Sequence, residues 1–209
     1  MTMESGPDKT LRESAERRKQ ALRETLLSQR QSLSSGRQRQ LNRQLCGHLL
    51  RFLTDGDWLN LSAFVPFRGE PDLMPALEVL YQAGRRIHLP EVGEDSSMQF
   101  RRWQPGCEMR PNRFGIPEPV DGRYLPAERL DLVLMPLLAF APGGGRLGMG
   151  AGFYDRAFAF RLERPGSGPA LVGAAFSFQQ VDSLPQDSWD VPLDGVITER
   201  GFHAFSDSL

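Results

Sequence analysis

From Pro142 to Asp155 the chain reads Pro-Gly-Gly-Gly-Arg-Leu-Gly-Met-Gly-Ala-Gly-Phe-Tyr-Asp, directly after Leu130 to Phe140, the most apolar stretch in the sequence. Such a run, closed by glycines, reads as a buried central strand, and the residues beyond, Phe153 to Arg164, read as a helix. A strand that passes through a glycine loop into a helix is how open α/β sheets place ligands at their strand ends. Gly148, Gly150 and Gly152 alternate, which admits left-handed torsions and a close approach that a Cβ would block. Backbone N–H groups can then converge on an anion, helped by the helix N-terminus and by a bidentate bond from Arg146. The pattern predicts a phosphate cradle. No Gly-Lys-Ser/Thr ends it, and its third alternating glycine comes one residue early for the dinucleotide G-x-G-x-x-G, so neither common nucleotide motif applies. Asp155, at the mouth of the loop, has two open roles: ligand to the Mg²⁺ that accompanies nucleotide phosphates, or cap of the helix.

Around this centre the chain alternates strands and helices. Residues 1–9 read as a flexible tail and residues 10–209 as one domain. From Thr10 the pattern is helical, with Leu11, Ala15, Leu22 and Leu26 on one stripe and Arg12, Lys19, Arg23 and Arg30 on another. Ser34 or Ser35 caps a second helix that carries Leu41, Leu45, Leu49 and Phe52. Leu59 to Pro66 suits a strand, Asp72 opens a short helix through Tyr81 that Gly84 closes, and Ile87 to Val92 is the next strand. This unit builds parallel sheets. Met98 to Trp103 follows as a strand, then a proline-rich connection, Pro105 to Pro119, without periodicity. Ala170 to Phe178 and Gly195 to Glu199 supply further strands. The fold class expected is α/β.

Residues 1 to 51 hold 11 basic and 5 acidic side chains, so this end carries a charge of +6 inside a chain of net −1. The excess is either a solvated helical face or a surface that meets an anionic ligand. The absence of interleaved aromatics disfavours nucleic acid. No stretch reaches the roughly 18 apolar residues of a membrane span, and the charged first thirty positions do not suit a secretory signal, so a cytoplasmic protein is expected. Cys46 and Cys107 have no partner at metal-ligand spacing. His48, His88 and His203 fall in no motif.

The run Arg146-Leu-Gly-Met-Gly-Ala-Gly-Phe-Tyr-Asp155 resembles the signature of the 5-formyltetrahydrofolate cyclo-ligase (methenyltetrahydrofolate synthetase) family. The likeness extends to Lys19-Gln-Ala-Leu-Arg23, Val65-Pro-Phe-Arg-Gly-Glu70, Phe114-Gly-Ile-Pro-Glu-Pro119, the strand Leu130 to Phe140, and Asp190-Val-Pro-Leu-Asp194, in family order over about residues 18 to 202. It implies an open α/β/α sandwich around a mostly parallel sheet. It also implies an ATP- and Mg²⁺-dependent conversion of 5-formyltetrahydrofolate, with or without a polyglutamate tail, to 5,10-methenyltetrahydrofolate. By the same resemblance, Lys19, Arg23 and Arg146 to Tyr154 (Arg146, Leu147, Gly148, Met149, Gly150, Ala151, Gly152, Phe153, Tyr154) contact ATP. Lys19 and Arg146 act in catalysis, and Asp155 and Asp190 hold Mg²⁺. Arg23, Val65, Glu70 and Met149 to Phe153 meet the folate. Family members often carry a basic or polar residue where Met149 and Ala151 stand, and tyrosine where Phe153 stands. A monomer without nucleic-acid or membrane partners is expected.

Overall fold

The computed structural model describes residues 6–205. Of the tail expected over residues 1–9, positions 1–5 lie outside the described residues, and helix α1 (Gly6–Gln31) already includes the rest. Then come α2 (Ser35–Thr54), β1 (Asn60–Ser62), α3 (Met74–Gln82), β2 (Arg86–Val92), β3 (Met98–Trp103), β4 (Met109–Pro111), β5 (Pro117–Pro119) and β6 (Tyr124–Leu125). The second half holds β7 (Leu132–Pro136), β8 (Ala139–Phe140), β9 (Arg146–Leu147), α4 (Phe153–Ala157), α5 (Phe160–Glu163), β10 (Ala170–Ala174), β11 (Gly195–Thr198) and β12 (Gly201–Ala204). Ser34 is the cap of α2, its side chain accepting the Arg37 N–H.

The main sheet runs β12-β11-β10-β7-β1-β2-β3-β6. Its inner strands from β11 to β2 are parallel, and antiparallel strands close both edges. The mostly parallel α/β sheet read from the sequence is what forms. β7 is buried on both faces, as central parallel strands are. Leu132 and Leu134 point into one core, with Leu61, Ile87 and Val172, beneath Leu45, Leu49 and Leu53 of α2. Val133 and Met135 point into the other, with Phe100, Leu171, Val196 and Phe158. Each fully buried leucine of α2 contributes about 1.5–3 kcal/mol relative to an exposed one.

From β1 the chain passes to β2 on one side, and β7 later inserts on the other, so the strand order reverses between β1 and β7. Loops leaving the carboxyl ends of two such strands diverge and open a crevice, the usual ligand position in these sheets. Here they are residues 63–70 and the segment from Leu137 onward.

Three local expectations are corrected. The apolar run 130–140 is not one strand: β7 stops at Pro136, which has no N–H to continue a ladder, and Ala139–Phe140 turns into a hairpin with β9. Gly143 to Gly145 therefore make a hairpin turn. The helix expected over 153–164 breaks into α4 and α5 as Phe158 turns fully into the core. The proline-rich connection contains the β4–β5 hairpin, whose turn is held by Asn112 Oδ1 accepting the Phe114 and Ile116 N–H groups.

Candidate active site

Helix α1 lies over the β8–β9 hairpin because Leu22 and Leu26 pack on Ala139 and Leu147. That contact turns the neighbouring basic stripe toward the protein. From Lys19 onward the stripe is not a solvated face: Lys19 and Arg30 are buried and Arg23 is half-buried, whereas Arg12 is exposed. Lys19 Nζ lies 2.5 Å from Asp187 Oδ2 and 3.4 Å from Asp190 Oδ2. Burial alone would lower its pKa, but the bond to Asp187 and the charges of Asp190 and Asp187 outweigh that and raise it. Asp190 Oδ2 also accepts the Asp187 N–H at 2.8 Å, which locks this turn.

Four residues on, Arg23 Nε donates to the Gly148 carbonyl at 3.2 Å and its other arm pairs with Glu16 at 3.0 Å. The loop it crosses runs from Gly148 to Gly152. Gly150 (φ +98) and Gly152 (φ +66) are left-handed, whereas Gly148 is not. Leu147 is buried against α1, so only its backbone faces the loop; Met149 and Ala151 are exposed. The helix after the loop has five residues, so its dipole is weaker than the sequence suggested.

Asp155 does not cap α4. The cap is Gly152, without a side-chain bond, while Asp155 Oδ1 accepts from Arg146 at 2.5 Å and from the Val191 N–H at 3.1 Å. The bond to Val191 sets Asp155 beside Asp190, the preceding residue. Arg146 is almost wholly buried, and its Nε has no hydrogen-bond partner among the described residues. Among the described residues, no three His, Cys, Asp or Glu side chains form a metal cage. Asp155 and Asp190 would still suit Mg²⁺, which usually takes one or two protein carboxylates and completes its shell with phosphates and water.

The loop after β1 forms the opposite wall. Arg68 (φ 48) and Gly69 (φ 79) turn it sharply, and Val65 packs on the core at its start. Glu70, at its end, is 8% exposed, and its Oε2 accepts the Phe67 N–H at 3.0 Å. Burial pushes its carboxyl up to about 7, against the opposing pull of the Arg30 charge and the Phe67 N–H. Tyr154 faces it from α4: burial, and then the Glu70 charge, raise the phenol far above its usual range. Phe153 meets Phe114 edge-on at 5.9 Å, bringing the proline-rich connection to the glycine loop.

The structure thus gathers Lys19, Arg23, Arg146, Asp155, Asp190 and the Gly148–Gly152 backbone on one side of the crevice, with Val65 and Glu70 on the other. Two residues of this assembly were missed in the sequence. Asp187 sits in an aperiodic stretch, its one signal being its place three before Asp190. Arg30 had a signal, seven residues beyond Arg23 on one stripe.

Residues 15–199 match the model of the 5-formyltetrahydrofolate cyclo-ligase family. The 5-formyltetrahydrofolate cyclo-ligase of Escherichia coli K12 is 36% identical over 173 residues, covering 81% of this chain and 93% of that protein. That of Mycolicibacterium smegmatis is 30% identical over 192 residues, covering 88% and 95%. Among solved structures, the 5,10-methenyltetrahydrofolate synthetase of Aquifex aeolicus superposes with a TM-score of 0.77 at 33% identity, covering 90% of this chain and 93% of that one. The Mycoplasma pneumoniae 5,10-methenyltetrahydrofolate synthetase gives 0.70 at 29% identity, covering 87% and 98%.

Proposed function

Because the chain belongs to the 5-formyltetrahydrofolate cyclo-ligase family, we propose that it uses MgATP to close 5-formyltetrahydrofolate into 5,10-methenyltetrahydrofolate, releasing ADP and phosphate. The observation that carries this reading is the pairing of Lys19 with Asp187 and Asp190, and of Arg146 with Asp155, around a glycine loop at the reversal of strand order.

A formamide oxygen is a poor leaving group. In the proposed reaction the formyl oxygen of the substrate attacks the γ-phosphorus of ATP and ADP departs. N10 then attacks the activated formyl carbon, the five-membered ring closes, and the C–O bond breaks as phosphate leaves, taking with it the proton that N10 gives up. The protein's work is to position two ligands and neutralise charge. Lys19, Arg23 and Arg146 take the phosphate oxygens, the first and last by exchanging a carboxylate partner for a phosphate one. The N–H groups of Gly148 to Tyr154 cradle the chain of phosphates, with Leu147 contributing backbone alone. Asp155 and Asp190 hold Mg²⁺, which supplies charge neutralisation on the phosphates. Val65, Glu70, Arg23 and the stretch from Met149 through Gly150, Ala151 and Gly152 to Phe153 line the folate. Glu70 suits the pterin edge because amino and ring N–H donors need an acceptor when buried. We take the protein to act as a cytoplasmic monomer on the folate with or without its polyglutamate tail, without nucleic-acid or membrane partners.

The test is direct. Purified protein with MgATP and 5-formyltetrahydrofolate should generate the near-ultraviolet absorbance of the methenyl product, and omission of either ATP or Mg²⁺ should abolish it. No absorbance change with both ligands shown to bind would refute the activity.

A further inference from the structure

Arg30 has no part in the ATP reading, yet its side chain is 0% exposed. Arginine is almost never buried so deeply unless it is paired. Two of its donors are spent on backbone: Nε on the Arg68 carbonyl at 3.1 Å and one terminal nitrogen on the Leu137 carbonyl at 3.0 Å. Those carbonyls belong to the segments leaving β1 and β7, so the guanidinium spans the crevice where the strand order reverses. Its other terminal nitrogen has no hydrogen-bond partner among the described residues and stands 3.8 Å from Glu70 Oε1. Glu70 Oε1 itself accepts no hydrogen bond among the described residues; only Oε2 does, from Phe67.

The charged neighbours of Glu70 are few. Arg30 on α1 is the opposing charge that acts on it, Tyr154 on α4 is a neutral phenol, and Arg146 acts on Tyr154 from β9. Burial drives the Glu70 carboxyl toward neutrality, and Arg30 opposes that drive. A protonated Glu70 would offer a pterin one acceptor oxygen and a clashing donor instead of two anionic acceptors. The charge state of Glu70 therefore decides what the wall of the crevice recognises.

We propose that Arg30 is a positioning residue for substrate binding: it ties the Val65–Glu70 loop to the end of β7 and keeps the Glu70 carboxylate ionised for the N–H edge of the pterin. The inference rests on the assignment of Glu70 to the pterin made above. It makes folate affinity dependent on pH near neutrality, with Arg30 setting the midpoint.

Calorimetric titration of the chain with 5-formyltetrahydrofolate, in Mg²⁺ and a non-hydrolysable ATP analogue, tests this over about pH 6 to 9. For the wild type, affinity should fall about tenfold per pH unit below a midpoint near 7. Arg30→Gln should move the midpoint up by about one unit, giving roughly fivefold weaker binding at about pH 7 and recovery toward wild-type affinity at the alkaline end. Arg30→Lys should keep the wild-type midpoint, and Glu70→Gln should bind weakly with a flat profile. Affinity for the ATP analogue should be unchanged in all three. A loss in Arg30→Gln that is equal at every pH would make Arg30 only a brace and overturn the proposal. Glu70→Gln binding folate as tightly as the wild type at alkaline pH would instead remove the pterin assignment. Should Arg30→Gln not fold, indistinguishable pH profiles for the wild type and Glu70→Gln would equally overturn it.

Discussion

Gly148→Ala separates the phosphate cradle from a plain turn more cleanly than any other substitution in the loop. Gly148 lies outside the left-handed region, and a Cβ built on it meets nothing within 4 Å. An alanine there carries neither backbone strain nor a clash, and by reducing the freedom of the unfolded chain it should stabilise the fold by about 0.4–1 kcal/mol. A phosphate oxygen bonded to the loop N–H groups sits about 2.9 Å from nitrogen, and the new methyl would intrude on that shell. Displacing the anion by a few tenths of an ångström weakens one or two charge-assisted bonds, each worth about 1.5–3 kcal/mol. The expected outcome is MgATP affinity reduced roughly 10- to 100-fold in a protein that melts at or slightly above the wild-type temperature. Calorimetry with MgATP and a melting curve on the same sample measure both quantities. Wild-type affinity in a stable Gly148→Ala protein would mean that phosphates do not lie on this backbone. Gly150→Ala is a poorer probe, because at φ +98 the alanine itself costs about 1–2 kcal/mol.

Gly144→Ala should be mainly a folding defect, since Gly144 has φ +85 and its added Cβ would lie 2.3 Å from the Leu193 carbonyl oxygen; a melting curve should show a loss of several kcal/mol, about 3 or more. Asp155→Asn should lower turnover and also cost about 2 kcal/mol, because it removes the charge opposite nearly buried Arg146; wild-type Mg²⁺ dependence and melting would refute both roles. Lys19→Ala should weaken ATP binding and lower stability by about 1–2 kcal/mol, because it leaves Asp187 and Asp190 facing each other; unchanged ATP affinity, or a change within experimental error in urea unfolding, would refute the corresponding role. Glu70→Gln compared with wild type should show a stability difference that changes with pH. A carboxyl raised from 4.5 to about 7 on folding favours the native state below the lower value and loses that advantage as pH rises through the window. The variant should therefore gain on the wild type by on the order of 3 kcal/mol between about pH 4.5 and 7; parallel stability curves would refute the raised pKa.

The parts of this site that were legible in the sequence are those encoded in short, composition-rich runs. Leu132 to Met135 could be read as a central strand because burial on both faces demands an unbroken apolar run. The alternating glycines announced themselves because few backbones need three left-handed or close-approach positions in five residues. The hairpin between β8 and β9 was not legible, since its cause is a single Pro136 and a contact between Gly144 and Leu193, nearly fifty residues apart. The β4–β5 hairpin was hidden for another reason: strands of three residues containing prolines have no period to detect.

The basic stripe of α1 is the instructive failure of one-dimensional reading. Arg12, Lys19, Arg23 and Arg30 at spacings of seven, four and seven fit a solvated face as well as a buried one, because periodicity fixes which residues share a face but not what that face meets. The decision comes from Leu22 and Leu26, whose contact with Ala139 and Leu147 sets the rotation of the helix about its axis. That rotation carries Lys19 to Asp187 and Asp190, Arg23 to the Gly148 carbonyl, and Arg30 to the carbonyls of Arg68 and Leu137. Buried ion pairs of this kind do little for stability, because desolvation consumes most of their Coulomb gain. Proteins also rarely leave buried donors unpaired. Arg30 and Arg146 each carry such a donor among the described residues. Two costly features in one place, on residues supplied by elements far apart in sequence, are what a fold shaped by ligand recognition would retain and a fold shaped by stability alone would discard.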